Sequence, residues 1–177
     1  MPIAIIGTAG RDKAMPMTLG LWKWMLAHAI NNVPEHSHVV SGGAAWADHL
    51  AVMLFLIGHA DRLTMHLPAP LDKQFIGPYK SAASAANYYH QRFSNVIGED
   101  SLAQIVLATS KDNCDGSYEP IAEGYAAMFT RNAKVAKADE MFAYAFGTGL
   151  APNDGGTKNT WDMCTGKRIY VSLPVIR

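Results

Sequence analysis

The chain has 177 residues, 49% of them hydrophobic, which is enough for one domain with a substantial buried core. Lys plus Arg and Asp plus Glu both number 15, so the formal net charge is zero. That removes the basic footprint of a protein that grips nucleic acid through its phosphates, and it counts against DNA or RNA as a partner.

Apolar runs and helical stretches alternate from the first residues onward. Ile3 to Ile6 is a fully apolar run of the kind found in buried parallel strands, and it enters the loop Gly7-Thr8-Ala9-Gly10-Arg11. Leu19 to Ile30 follows as a helix, with Leu21, Trp22, Met25, Leu26 and Ala29 on one face and Pro16 just ahead. His38 to Val40 is the second strand; Ser41-Gly42-Gly43-Ala44 forms its glycine turn, and a helix from about Ala45 to Ile57 stops at Gly58. Leu63 to Leu67 is the third strand, ended by Pro68 and Pro70. A helical insertion then runs from about 69 to 116, with helices over Ser81–Phe93 and Ser101–Ala108 and a polar loop over Lys111–Ser117. Pro120 to Ala138 is helical and Glu140 to Phe146 is strand. A loop from Gly147 to Gly156, a short helix over Thr157–Cys164 and a strand over Arg168–Leu173 complete the chain.

This alternation predicts an α/β fold: a Rossmann-like, doubly wound parallel sheet of about five strands in the order 3-2-1-4-5, as a single domain over 1–177. The chain reverses direction between the first and fourth strands. Open α/β sheets bind ligands there, outside the carboxyl ends of the strands. The three glycine loops follow the first, second and fourth strands, so motif and topology converge on one crevice. Glycines let bare N–H groups approach a ligand, and helix N-termini favour anions. The candidate nucleotide-binding residues are Gly7, Thr8, Gly10 and Arg11, then Ser41, Gly42, Gly43, Ala44 and Asp48, then Gly155, Gly156 and Thr157. Arg131 and Asn132 join them if the helix before the fourth strand starts at the crevice; otherwise they pack mid-helix. Asp48 either supports its helix or hydrogen-bonds ligand hydroxyls. Tyr88 and Tyr89, a tyrosine pair on an alanine-rich helix, belong to the core unless the insertion closes over the crevice, where they, His90 and Arg92 sandwich a base.

The same loops, in the same order, resemble the SLOG superfamily, which groups the DNA-processing protein DprA, the Lonely Guy phosphoribohydrolases and the YspA and YpsA proteins. Ile6-Gly7-Thr8-Ala9-Gly10-Arg11 resembles its first-strand loop, and Ser41-Gly42-Gly43-Ala44-Ala45-Trp46-Ala47-Asp48 resembles the Ser-Gly-Gly-Ala-x-Gly-x-Asp signature of the YspA-like branch. Arg131-Asn132, Ala138-Asp139, Gly155-Gly156-Thr157 and Lys167-Arg168-Ile169-Tyr170-Val171 recur in order; the 69–116 segment has no counterpart. The resemblance implies a Rossmann-like fold that binds nucleotides or their derivatives, without implying one activity.

Two positions depart from the pattern. Trp46 stands where the family usually has glycine, and either stacks on a base or packs at the helix start. Thr160 stands where the Lonely Guy enzymes carry the glutamate that serves N-glycosidic cleavage. The leading expectation is therefore a binder of a small nucleotide or an ADP-ribose-like derivative, acting as a sensor or sequestering protein. The alternative is a hydrolase of a nucleotide N-glycosidic bond, with Asp154 or Asp48 as the catalytic carboxylate. A DprA-like DNA-binding protein is the third reading.

Seven histidines without metal-type spacing and two distant cysteines, Cys114 and Cys164, point to no metal, no cofactor and free thiols in a reducing cytoplasm. No secretion signal precedes the first strand, and the longest apolar run, Leu50 to Ile57, is too short for a membrane span. Whether identical copies associate is left open.

Overall fold

A computed structural model describes residues 1–153 and 155–177. Alternation along the first strand, β1 (Pro2–Gly7), sets the architecture. Ile3 and Ile5 enter one hydrophobic cluster and Ala4 and Ile6 another, so the strand is buried on both faces. β5 (Glu140–Ala145) does the same, with Phe142 and Tyr144 on one side and Met141 and Ala143 on the other. Strands covered twice read as continuous apolar runs, which is what a doubly wound sheet demands.

Six strands form one sheet, in the order β4-β3-β2-β1-β5-β6, and every ladder is parallel. The others are β2 (Ser37–Ser41), β3 (Ala60–Leu67), β4 (Cys114–Tyr118) and β6 (Lys167–Ser172). The larger cluster packs one face beneath α1 (Leu19–Asn32), α2 (His49–Leu56), α3 (Ala82–Ile97) and α4 (Ser101–Thr109). The smaller cluster packs the other face beneath α5 (Ala126–Val135) and α6 (Gly155–Met163) through Val135, Trp161 and Cys164.

Local signals fix several helix ends. Thr18 caps α1 by accepting the Leu21 N–H at 3.1 Å, and its hydroxyl donates to the Ile176 carbonyl at 2.8 Å, tying down the chain's far end. Ser81 and Ser84 form a reciprocal capping box on α3, which ends at Gly98 in the left-handed region (φ 74°). Asp100 then caps α4 through the Ala103 N–H at 3.0 Å.

The sheet has six strands where the sequence suggested about five. The additional one, β4, begins inside the Lys111–Ser117 stretch expected to be a loop and ends at Tyr118. It lies at the sheet edge with mostly exposed side chains, so it carries no apolar alternation, and only pairing with β3 defines it. The 69–116 segment is accordingly the crossover from β3 to β4, carrying α3 and α4. The helix expected over 45–57 is divided into a 3-10 turn at Trp46–Asp48 followed by α2. No described helix is long and apolar enough to cross a membrane.

Candidate functional site

At the end of β1 the backbone passes so close to β5 that a Cβ on Gly7 would lie 1.9 Å from the Tyr144 carbonyl oxygen and 2.7 Å from the Ala47 Cβ. Glycine is what permits this approach. The Thr8 N–H donates to the same carbonyl at 2.8 Å, and the Thr8 carbonyl accepts from the Ala47 N–H at 3.1 Å. The first two glycine loops are thereby locked to each other and to β5. The Thr8 hydroxyl accepts the Gly10 N–H at 3.2 Å.

At the end of β2 the residues face different ways. Ser41 is fully buried; its hydroxyl donates to the Asp48 carbonyl at 2.8 Å and accepts the Gly43 N–H at 3.2 Å, so it shapes the turn. Gly43 adopts φ +75°, and a Cβ there would meet the Leu67 side chain at 2.5 Å, so this glycine faces the core. Gly42 instead borders the crevice. A Cβ on it would lie 2.9 Å from both the Arg131 Cζ and the Asp48 Oδ2, which are laid across its bare Cα.

Asp48 and Arg131 are both buried. Burial pushes the Asp48 carboxyl pKa up, while the Arg131 charge and the N–H groups of Ala44, Gly42 and Gly7 draw it back down. Burial likewise lowers the Arg131 pKa, the Asp48 charge opposes this, and the Arg11 charge adds to the lowering. Arg131 donates from Nη1 to the Gly42 carbonyl, but its buried Nε has no partner among the described residues. A donor of that kind, desolvated and unpaired, is costly unless something else accepts from it.

These groups border a cavity of about 660 Å³ at the carboxyl ends of β1, β2 and β5. Gly7, Thr8 and Arg11 contribute from the first loop, Gly42, Ala44 and Asp48 from the second, and Gly155, Gly156 and Thr157 from the start of α6. Arg131 and Asn132 lie buried in the middle of α5 and still border the cavity; Asn132 Nδ2 donates to Asn159 Oδ1 at 3.4 Å. Ser41 and Gly43 lie behind the wall, and Gly10 borders an adjoining hollow. Asp154 falls outside the described residues. Among those described, Asp12 and Asp48 are the carboxylates lining the cavity. Thr160 lines it too, but its hydroxyl donates to the Gly156 carbonyl at 2.9 Å. Glu119 is paired with Lys134 at 2.6 Å and Asp162 with Lys158 at 2.6 Å.

Two readings of the sequence resolve as packing. Trp46 is 2% exposed, edge-on to Trp22 at 6.5 Å and tilted against Phe93 at 4.7 Å. It keeps the positive φ (64°) that suits a glycine, so aromatic packing holds a strained backbone in place. His90 is fully buried and donates from Nε2 to the Gly43 carbonyl at 2.9 Å, with Nδ1 2.8 Å from the Ser101 hydroxyl. It ties α3 and α4 to the second glycine loop. Burial lowers its pKa to about 4 and that of neighbouring His49 to about 3.

Sequence reasoning missed one wall of the cavity: Tyr125, Met128 and Phe129. They recur at i, i+3, i+4 on the side of α5 that also carries Asn132. That run of apolar residues beside Asn132 was the available signal.

The chain is 34% identical over 174 residues, covering 90% of this chain and 88% of its counterpart, to "Uncharacterized protein R261" of Acanthamoeba polyphaga mimivirus. No protein-family model and no solved structure matches the chain.

Proposed function

This chain belongs to the same family as the mimivirus protein, and we propose that it binds a small nucleotide or an ADP-ribose-like derivative in the β1–β5 crevice. One observation carries the reading: the buried Arg131 side chain lines a cavity where three glycine loops meet, the third of them opening α6. A phosphate placed there meets the Arg131 charge and the positive end of α6. Arg11 adds a second guanidinium at the rim. Tyr125 and Phe129 remain 47% and 57% exposed and offer a surface on which a base can stack. The order of the loops supports placement in the SLOG superfamily, and the two free cysteines support a cytoplasmic setting.

Binding rather than cleavage is the favoured activity. Thr160 replaces the expected glutamate with a hydroxyl already engaged, and Asp48 is held by backbone N–H groups and the Arg131 charge. Calorimetry with the nucleoside monophosphates and diphosphates of the four RNA bases, together with ADP-ribose, tests both points. We expect saturable binding of at least one compound and, by chromatography, no released base. Arg11→Gln is exposed and leaves the fold alone, yet should weaken binding by about tenfold. A panel in which nothing binds ends the proposal, and free base accumulating with time replaces it with the hydrolase.

A further inference from the structure

Arg11 stands on the boundary between the nucleotide cavity and a second hollow of about 640 Å³. Its guanidinium lies over the Tyr89 ring, 5.0 Å from the centroid, and its Nη2 is 3.5 Å from the Met128 sulfur. One side chain therefore spans from α3 to α5 across the mouth of the crevice. Beyond it, Tyr88, Arg92 and Asn95 of α3 face the hollow at i, i+4, i+7 spacing, opposite Asp12 and Lys13 of the first loop. The Arg92 guanidinium sits 5.6 Å from the Tyr88 ring centroid, and Tyr88 is 55% exposed. Arg11, Lys13 and Arg92 outnumber the single carboxylate, Asp12, in a chain with no net charge. This is a local concentration of cations around an open aromatic face.

We infer that the hollow is a second subsite, and that the full ligand carries two nucleoside-like groups joined 5′ to 5′ through a diphosphate. The inference rests on the nucleotide reading of the first cavity and extends it. The first nucleoside phosphate occupies the β1–β5 crevice, the diphosphate passes Arg11, and the second ring lies on Tyr88 with Lys13 and Arg92 beside it. Aromatic stacking is tolerant of ring identity, and a guanidinium over the same aromatic adds to it. A mononucleotide fills only the first cavity. Tyr88, Arg92 and Asn95 of the second belong to the β3–β4 crossover, which lies outside the resemblance to the SLOG superfamily.

The test compares, for each of the four bases, the nucleoside monophosphate, the nucleoside diphosphate and the symmetric dinucleoside 5′,5′-diphosphate by calorimetry. For at least one base the dinucleoside should bind about tenfold or more tighter than its monophosphate and diphosphate. The Tyr88→Ala, Arg92→Ala double variant changes exposed positions on a helix that alanine suits. It should abolish that gain and leave the Kd of the monophosphate unchanged. A dinucleoside that binds no better than the diphosphate for every base overturns the second subsite alone. So does a gain that survives in the double variant. If no nucleotide of any length binds, the reading of the first cavity falls and this inference with it.

Discussion

Across the bare Cα of Gly42, Asp48 and Arg131 each offset what burial costs the other. Removing one partner leaves an uncompensated charge, which in buried pairs costs about 3–5 kcal/mol. Asp48→Asn and Arg131→Gln should each lower the urea midpoint markedly, while the double variant loses far less than their sum. Additive losses would show that the two do not act as a pair. At Trp46 two effects oppose each other. Replacing it with glycine relieves a left-handed backbone worth about 1–2 kcal/mol but empties a packed aromatic site worth about 3–5 kcal/mol. Trp46→Gly should therefore destabilise, and a rise in the melting temperature would reverse that ranking. Gly43 was expected to contact the ligand. With φ +75° and Leu67 in the path of any Cβ, Gly43→Ala should instead lower stability measurably before it alters binding. Unchanged thermal unfolding would contradict this.

At the level of elements, the parts of the chain that were legible are those whose own residues carry the signal. β1, β2 and β5 announce themselves as apolar runs because they are covered on both faces, and their glycine loops mark where the chain must turn close to another backbone. β4 has no such signature, since an exposed edge strand is defined by the neighbour it pairs with. Likewise, nothing local shows that Ser41 and Gly43 point inward while Gly42 points outward; the β2 turn and Leu67 decide that. The role of His90 depended on a contact with Gly43, remote in sequence. That contact has a pH consequence. His49 and His90 have folded pKa values of about 3 and about 4, below the ordinary 6.5. Below pH 6.5 the unfolded chain therefore binds protons that the native state refuses, and stability falls as pH drops from there towards the folded values. Burial lowers the pKa of His38 and His66 in the same direction. Urea midpoints should be level from about pH 7 to 8 and decline steadily below about pH 6. A midpoint unchanged down to about pH 5 would show that these histidines are not buried neutral.

For the molecule as a whole, zero net charge sets the terms on which it meets polyanions. Few counterions are released on binding, so DNA affinity should be weak and vanish at physiological salt. Retention of DNA under those conditions would revive the DprA-like reading. The order of the sheet bears also on how the protein emerges from the ribosome. β1 is synthesised first and ends between β2 and β5, yet β5 begins only at Glu140. With no hairpin anywhere in the sheet, the nascent chain holds one edge of its most apolar strand unpaired until most of the protein has been made. Such an edge is a template for another chain. Fragments ending ahead of Glu140 should accordingly aggregate during translation, whereas those reaching past Ser172 stay dispersed; a soluble, monomeric fragment of the shorter kind would show that something else shields that edge.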